Sequence, residues 1–209
     1  MLFYDCSTAP SPRRARMFIA EKGLEIETRE ISIAKGEQLS DSFRGVSPAA
    51  TIPVLITDEG TTLTENLGIA AYLEARFPEP PLLGRTAEDK GEVLMWNAIA
   101  EQQGGAPIAE TLRNTHPSFK DRAITGPASY AQIPELAQRG IKRVDAFFDL
   151  LETRLSDREF IAGNTFSLAD ITTYVFVDFA RVIKKRIPTG NTATLAWFDT
   201  IQARPSAQI

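Results

Sequence analysis

The chain has 209 residues, enough for one large domain or two small ones. An apolar fraction of 43% with 24% charged residues suits a globular protein, and a net charge of -4 leaves no basic excess for nucleic acid or an anionic membrane. A single cysteine and a single histidine exclude an intrachain disulfide and give no metal-ligand cluster.

In chain order, residues 2–6, LFYDC, predict a short apolar strand. Its lead-in, MLFYD, has neither a charged n-region nor a long apolar stretch, so no signal peptide is expected, and the lone Cys6 fits a reducing cytoplasm. A helix is predicted over residues 12–22, opened by Pro12 and stopped by Gly23. Residues 25–33 alternate as a strand with Ile26, Ile31 and Ile33 as its apolar positions, and 37–45 form a short helical or irregular segment. Ile52-Pro53 opens a strand over 53–56, a turn at Asp58-Glu59-Gly60 leads to a second at 61–64, and Glu65-Asn66 starts an amphipathic helix carrying Leu67, Ala70, Leu73 and Phe77. Residues 78–83, PEPPLL, read as a linker.

Beyond the linker the periodicity is helical. Residues 87–110 are predicted as mainly helix, and 114–134 as a loop or broken helix. Ile141, Val144, Phe148, Leu151 and Leu155 share one helical face. Leu168, Ile171, Val175, Phe179 and Val182 lie in a segment apolar on several sides, which predicts a central buried helix capped by Ser167 and Asp170. The boundaries expected are an α/β domain over 1–78, a linker over 79–86 and an all-helical domain over 87–209.

The span from Thr51 to Leu73 also carries chemistry. A proline opening a strand cannot donate to a ladder, so it belongs at an edge or turn. In the cis form Ile52-Pro53 turns the chain sharply and leaves the Ile52 N–H and C=O for an extended peptide. Asn66, at a helix start, offers backbone N–H groups and the dipole to a carboxylate, and Glu65 offers a charge to an ammonium. Together they suit the α-amino acid end of a small peptide. The plain alternative is a hairpin followed by an ordinary capped helix.

This combination, an Ile-Pro strand followed by Thr64-Glu65-Asn66 and an amphipathic helix, resembles the glutathione site of cytosolic glutathione transferases. Asn66 departs from the family's usual Ser after Glu or Gln. Phe160-Ile161-Ala162-Gly163 and the segment Gly163-Asn164 to Ser167-Leu168-Ala169-Asp170 resemble the family's helical domain, so the likeness spans the chain. It implies an α/β thioredoxin-like N-terminal domain plus an all-α C-terminal helical domain. It also implies glutathione as cosubstrate without a metal, a hydrophobic electrophile or a disulfide as second substrate, a detoxification role and a homodimer. Neither nucleic acid nor membrane is an expected partner. Lys35-Gly36-Glu37-Gln38 is similar to the Lys-Gly-Gly-Gln of bacterial nu-type members, which implies Gln38 at the ligand and places the chain nearest that group. By the same likeness Ile52, Pro53, Glu65, Asn66 and Arg139 are ligand-binding candidates.

In the family a Tyr, Ser or Cys just after the first strand stabilises the glutathione thiolate or attacks through it. Here that place is Ala9. Three substitutes are open: Ser11 at the helix start, Ser7 or Thr8 in the loop, and Cys6 at the strand end. Arg13, Arg14 and Arg16 are either a solvated face or a source of positive potential near the thiolate. The implied electrophile pocket lies between the domains, with Met95, Trp96, Ile99 and residues of 114–134. His116 is expected as a surface loop residue. Three activities follow from the resemblance: conjugation or disulfide and peroxide reduction, glutathione-dependent aryl-ether cleavage, and noncatalytic glutathione binding.

Overall fold

The computed structural model describes all residues, 1–209. They divide into two units, Met1–Pro80 with Thr125–Ala128 and Ile209, and Pro81–Ile124 with Ser129–Gln208.

The first unit is a thioredoxin-like α/β layer. Strand β1 (Leu2–Asp5) pairs in parallel with β2 (Glu27–Glu30) and antiparallel with β3 (Val54–Ile56), which pairs antiparallel with β4 (Thr62–Thr64). The sheet order is β2-β1-β3-β4. Tyr4, Cys6, Ile31, Phe43, Ile52 and Val54 form a buried cluster on it, with the Tyr4 and Phe43 rings edge to face at 5.7 Å. Strand β2 is shorter than the predicted 25–33, because its register ends where the four-residue β1 ends, at Asp5 opposite Glu30. All four of its residues are exposed, as an edge strand's charged Glu-Thr-Arg-Glu text suits; of its predicted apolar positions only Ile31 is buried.

Helix α1 (Pro10–Glu21) begins two residues before the predicted Pro12. Gly23, at φ +63°, ends it: the Gly23 N–H bonds Ala20 O (2.9 Å) and the Leu24 N–H bonds Ile19 O (3.1 Å), a left-handed stop that glycine enters without a Cβ penalty. A short α2 (Asp41–Arg44) precedes β3, and α3 (Asn66–Arg76) follows β4. The buried Lys22 ammonium donates to Phe77 O (2.8 Å) and Pro80 O (2.5 Å) and pairs with Glu74 Oε2 (2.5 Å), fastening the C-terminal end of α1 to that of α3.

The second unit contains α4 (Ala87–Ile99), α5 (Ala106–Thr115), α6 (Pro134–Leu155), α7 (Leu168–Phe179) and α8 (Thr192–Gln202). The helix predicted over 87–110 is not continuous: Ala100–Gly105 form a π turn between α4 and α5. Pro107 has no N–H for the preceding turn, and Gly104-Gly105 favour helix poorly. The two glycines also admit close rings. A Cβ on Gly104 would lie 2.6 Å from Phe147 Cε1, and one on Gly105 2.7 Å from Phe176 Cε1. Residues 116–133 form a loop tied to α5. The Arg113 guanidinium donates to the carbonyls of Arg122 (2.7 Å), Ile124 (3.1 Å) and Ala123 (3.3 Å), and Gln132 donates to those of Arg113 (2.8 Å) and His116 (2.9 Å).

Helix α7 is the centre of this unit, with every residue from Leu168 to Val177 buried. Ser167 and Asp170 form its reciprocal cap. The Asp170 carboxylate accepts from Ile161 N (2.9 Å), Ser167 N (3.0 Å), Ser167 Oγ (3.1 Å) and Trp197 Nε1 (3.0 Å), joining the cap to α8 and to the loop before α7. Burial pushes its pKa up to about 6, against these four donors, which pull it down.

Asp170→Asn keeps the shape but sets an NH2 group against fixed donors, and is expected to destabilise the protein by about 2–4 kcal/mol at neutral pH. The folded-state pKa lies above the unfolded value of 3.8, so the folded state holds the extra proton between the two. The stability that Asp170 gains from its proton is therefore complete below the unfolded pKa and is lost as pH rises through about 6, adding at low pH to the mismatch cost present at neutral pH. In urea unfolding, the gap between wild type and Asp170→Asn should widen from about pH 7 to about pH 5; a narrowing gap would contradict this account.

Candidate functional site

The residues that point to chemistry in the first unit gather where α1 and α3 begin. Helix α1 starts after Ala9, which has no side-chain oxygen to cap it, and its first turn holds no acidic residue. Pro10 and Pro12 carry no amide hydrogen. Of the first three helical residues, then, only Ser11 presents donors: its N–H and its hydroxyl. Helix α3 likewise starts without a side-chain cap, leaving the N–H groups of its first turn for another acceptor. An uncapped start costs a helix about 1 kcal/mol relative to a Ser or Asp cap, and here two stand together.

One hydrogen bond links them. Asn66 Nδ2 donates to Ser11 Oγ at 3.3 Å, across 55 residues of sequence. With the Lys22 contacts fastening the opposite ends, α1 and α3 run side by side in the same direction. Their positive dipole ends therefore lie together. Asn66 is buried, and its Oδ1 has no hydrogen-bond partner; Gln38, buried in the 3-10 turn Glu37–Leu39, keeps Oε1 unpaired as well. Unserved buried acceptors are uncommon and mark sites short of a donor.

The other candidates are placed as follows. The Ser7 N–H (2.9 Å) and hydroxyl (3.0 Å) both donate to Glu30 Oε1, so that hydroxyl proton is engaged. Thr8 Oγ1 lies 3.4 Å from Cys6 Sγ, and the Cys6 side chain is buried in the sheet cluster. Ser11 Oγ accepts from Arg14 (3.2 Å) as well as from Asn66, and its own proton has no partner. Of the basic cluster, Arg16 contacts both carboxylate oxygens of Asp5 at 2.7 Å, and Arg14 is buried and donates to Ser11 Oγ.

Ile52-Pro53 is cis, and neither the N–H nor the C=O of Ile52 hydrogen-bonds within the chain. Glu65 is exposed, its carboxylate makes no ion pair, and its backbone sits at φ 61°, ψ 135°. For a non-glycine residue that conformation costs of order 1–3 kcal/mol, an outlier that clusters at ligand clamps.

Ser11, Gln38, Ile52, Pro53, Glu65 and Asn66 thus all belong to one unit. Arg139 does not: it stands on α6 of the helical unit, ion-paired with Glu110. Met95 is half exposed on α4, while Trp96 is buried under Arg154, whose guanidinium lies 4.8 Å from the indole ring. His116 caps the 3-10 turn Pro117–Phe119, Nδ1 accepting from the Ser118 N–H at 3.3 Å. The sequence reading passed over the Arg14 and Asn66 contacts to Ser11. The three-residue step from Ser11 to Arg14 on one helix was the available signal for the first; nothing local signals the second.

Comparison with known proteins agrees with this architecture. Residues 8–76 match the family described as glutathione S-transferase, N-terminal domain, and residues 134–200 match glutathione S-transferase, C-terminal domain. The chain is 31% identical to glutathione S-transferase 2 of Saccharomyces cerevisiae over 216 residues, covering 100% of this chain and 88% of the yeast protein. The crystal structure of Gtt2 from that yeast superposes with a TM-score of 0.90 at 31% identity, covering 100% of this chain and 99% of that one. A glutathione S-transferase of class Gtt2 from Vibrio parahaemolyticus gives a TM-score of 0.85 at 30% identity, covering 100% and 96%. Protein LigF of a Sphingobium species is 26% identical over 217 residues, covering 89% of this chain and 83% of LigF. With both domain profiles matched and the whole chain aligned at this identity, the chain belongs to the glutathione S-transferase family.

Proposed function

We propose that this protein binds glutathione in its first unit and uses the bound thiolate, held at the start of α1, in transfer or reduction reactions. The observation that carries the reading is the pair of uncapped helix N-termini joined by Asn66 and Ser11. Glutathione is a tripeptide with an α-amino acid end, a central cysteine and a terminal carboxylate. Its α-carboxylate suits the free N–H groups of α3, and its ammonium suits the exposed Glu65 carboxylate. The unpaired N–H and C=O of Ile52, beside Pro53, suit the backbone of the central cysteine as an added strand would. Gln38 serves the glycine end. Arg139, engaged by Glu110, is assigned no contact in this reading.

The sulfur then lies at the α1 N-terminus. A thiol of pKa ~8.5 is mostly protonated at neutral pH, and a positive helix end with a hydroxyl donor favours the thiolate. Ser11 is preferred because two donors fill its lone pairs and leave its proton uncommitted, whereas Ser7 gives its proton to Glu30 and Thr8 Oγ1 lies against Cys6 Sγ. In conjugation the thiol proton passes to solvent, a sulfur–carbon bond forms, and the carbon–leaving-group bond breaks with the leaving group keeping its electron pair. In disulfide reduction the thiolate displaces one sulfur of the substrate, and a second glutathione resolves the mixed disulfide to glutathione disulfide. The similarity to LigF, whose crystal structure is described as a beta-etherase, favours ether cleavage with a phenolate leaving group as a second reading. Action as a homodimer on a hydrophobic electrophile, in detoxification, completes the proposal.

Titration calorimetry should show one glutathione site per chain, and Glu65→Ala should weaken it by about 1–3 kcal/mol through loss of a charged partner. No binding at millimolar glutathione would sink the reading. A panel of a chlorinated aromatic, a hydroperoxide, hydroxyethyl disulfide and a β-aryl ether should give glutathione-dependent turnover on at least one member, and the preferred member assigns the reaction. Tight binding with no turnover on any of them would leave a noncatalytic binding protein. Ser11→Ala should slow turnover at neutral pH by up to about a hundredfold, the scale for one donor at an anion, whereas Ser7→Ala and Thr8→Ala should change it little.

A further inference from the structure

We infer that Arg14 is a positioning residue for the sulfur site: its buried guanidinium, together with Asn66, makes the Ser11 hydroxyl a donor with only one place to give its proton. The inference rests on the reading that Ser11 holds the glutathione sulfur.

A serine hydroxyl has two acceptor lone pairs and one proton. Near a helix start it has competing uses, since it can turn back to a carbonyl three or four residues earlier. Here both lone pairs are engaged, by Arg14 at 3.2 Å and Asn66 Nδ2 at 3.3 Å. Neither donor group can accept a proton in return. The carbonyl of Ser7, four residues back, receives the Arg16 guanidinium at 3.5 Å and no bond from Ser11. The hydroxyl proton is therefore left for a group outside the framework, beside the only amide hydrogen among the first three residues of α1.

Arginine suits this task. It stays charged at every working pH, so it never competes as an acceptor. It is buried, where a charge-assisted bond is stronger than in water, and its charge draws density from the Ser11 oxygen and sharpens the O–H as a donor. Arg16, whose guanidinium pairs with the Asp5 carboxylate at 2.7 Å, reaches the Ser7 carbonyl rather than Ser11. The arrangement answers the departure at Ala9: a serine two residues into the helix, held by two donors, supplies the hydroxyl that the loop does not.

The test is a double-mutant cycle on the intact protein with glutathione bound. The readout is the ultraviolet absorbance of the bound thiolate against pH, together with kcat and KM for glutathione on the best substrate of the panel. Arg14→Met should move thiolate formation to higher pH and lower kcat at neutral pH by about tenfold, with KM changed by no more than about twofold. Adding Arg14→Met to Ser11→Ala should cost little beyond Ser11→Ala alone, because both act through one hydroxyl. Arg14→Lys, which keeps the charge but not the fork, should fall between, and carries the same cycle if Arg14→Met does not fold. An unmoved thiolate midpoint in the Arg14 variants, or effects that simply add, would overturn the inference while leaving Ser11 in place. If Ser11→Ala itself leaves the midpoint unmoved, the Ser11 assignment fails first, and a shift in Arg14→Met alone would then mark a direct charge effect, which also overturns the inference.

Discussion

The contact between Asn66 and Ser11 is the constraint on which the site depends. It is a single hydrogen bond of 3.3 Å, yet it fixes which ends of two helices meet. Lys22 settles the same question at the far end, where one buried ammonium holds Phe77, Pro80 and Glu74. Two parallel helices held at both ends present their positive termini together, an arrangement their dipoles alone disfavour. Anions at that end relieve it, and a carboxylate and a thiolate are the two anionic groups that a bound tripeptide thiol would bring there.

What is missing at α1 matters as much as what is present. Ala9 gives no cap, Pro10 and Pro12 give no amide hydrogen, and no acidic side chain stands in the first turn. A helix built only for stability would carry Ser, Thr or Asp at Ala9, with Glu or Gln three residues later. The stripped start leaves Ser11 as its main donor. Of the neighbouring hydroxyls, Ser7 gives its proton to Glu30, and Thr8 meets Cys6 in a contact where either atom can donate. The strained backbone at Glu65 and the unpaired backbone of Ile52 belong to the same pattern, in which local stability is set aside in the unit that carries the candidate site.

Much of the fold was legible in the sequence because its signals are local. Gly23 stops α1 where its freedom to adopt positive φ is needed, and Ser167 with Asp170 caps α7 as the spacing indicates. The apolar text around Val175 reads as a buried helix because it is apolar on several sides. What the sequence hid depends on partners. Strand β2 is cut short by the length of β1, a fact of pairing rather than of its own alternation. At the π turn of 100–105, Gly104 and Gly105 lie against rings of α6 and α7 far away in sequence, although Gly104, Gly105 and Pro107 were visible beforehand. At the site, Ser11 and Asn66 each read as helix-start residues, but their contact spans 55 residues and left no local trace.

The central claim, that the start of α1 holds a glutathione sulfur through Ser11, is tested most directly by a crystal structure of the protein with reduced glutathione at neutral pH. The account predicts the sulfur within hydrogen-bonding distance of Ser11 Oγ and Ser11 N, the α-carboxylate of the ligand on the first N–H groups of α3, and the Arg14 and Asn66 bonds to Ser11 intact. A sulfur seated instead against Ser7, Thr8 or Cys6, or a ligand bound away from the two helix starts, would contradict it.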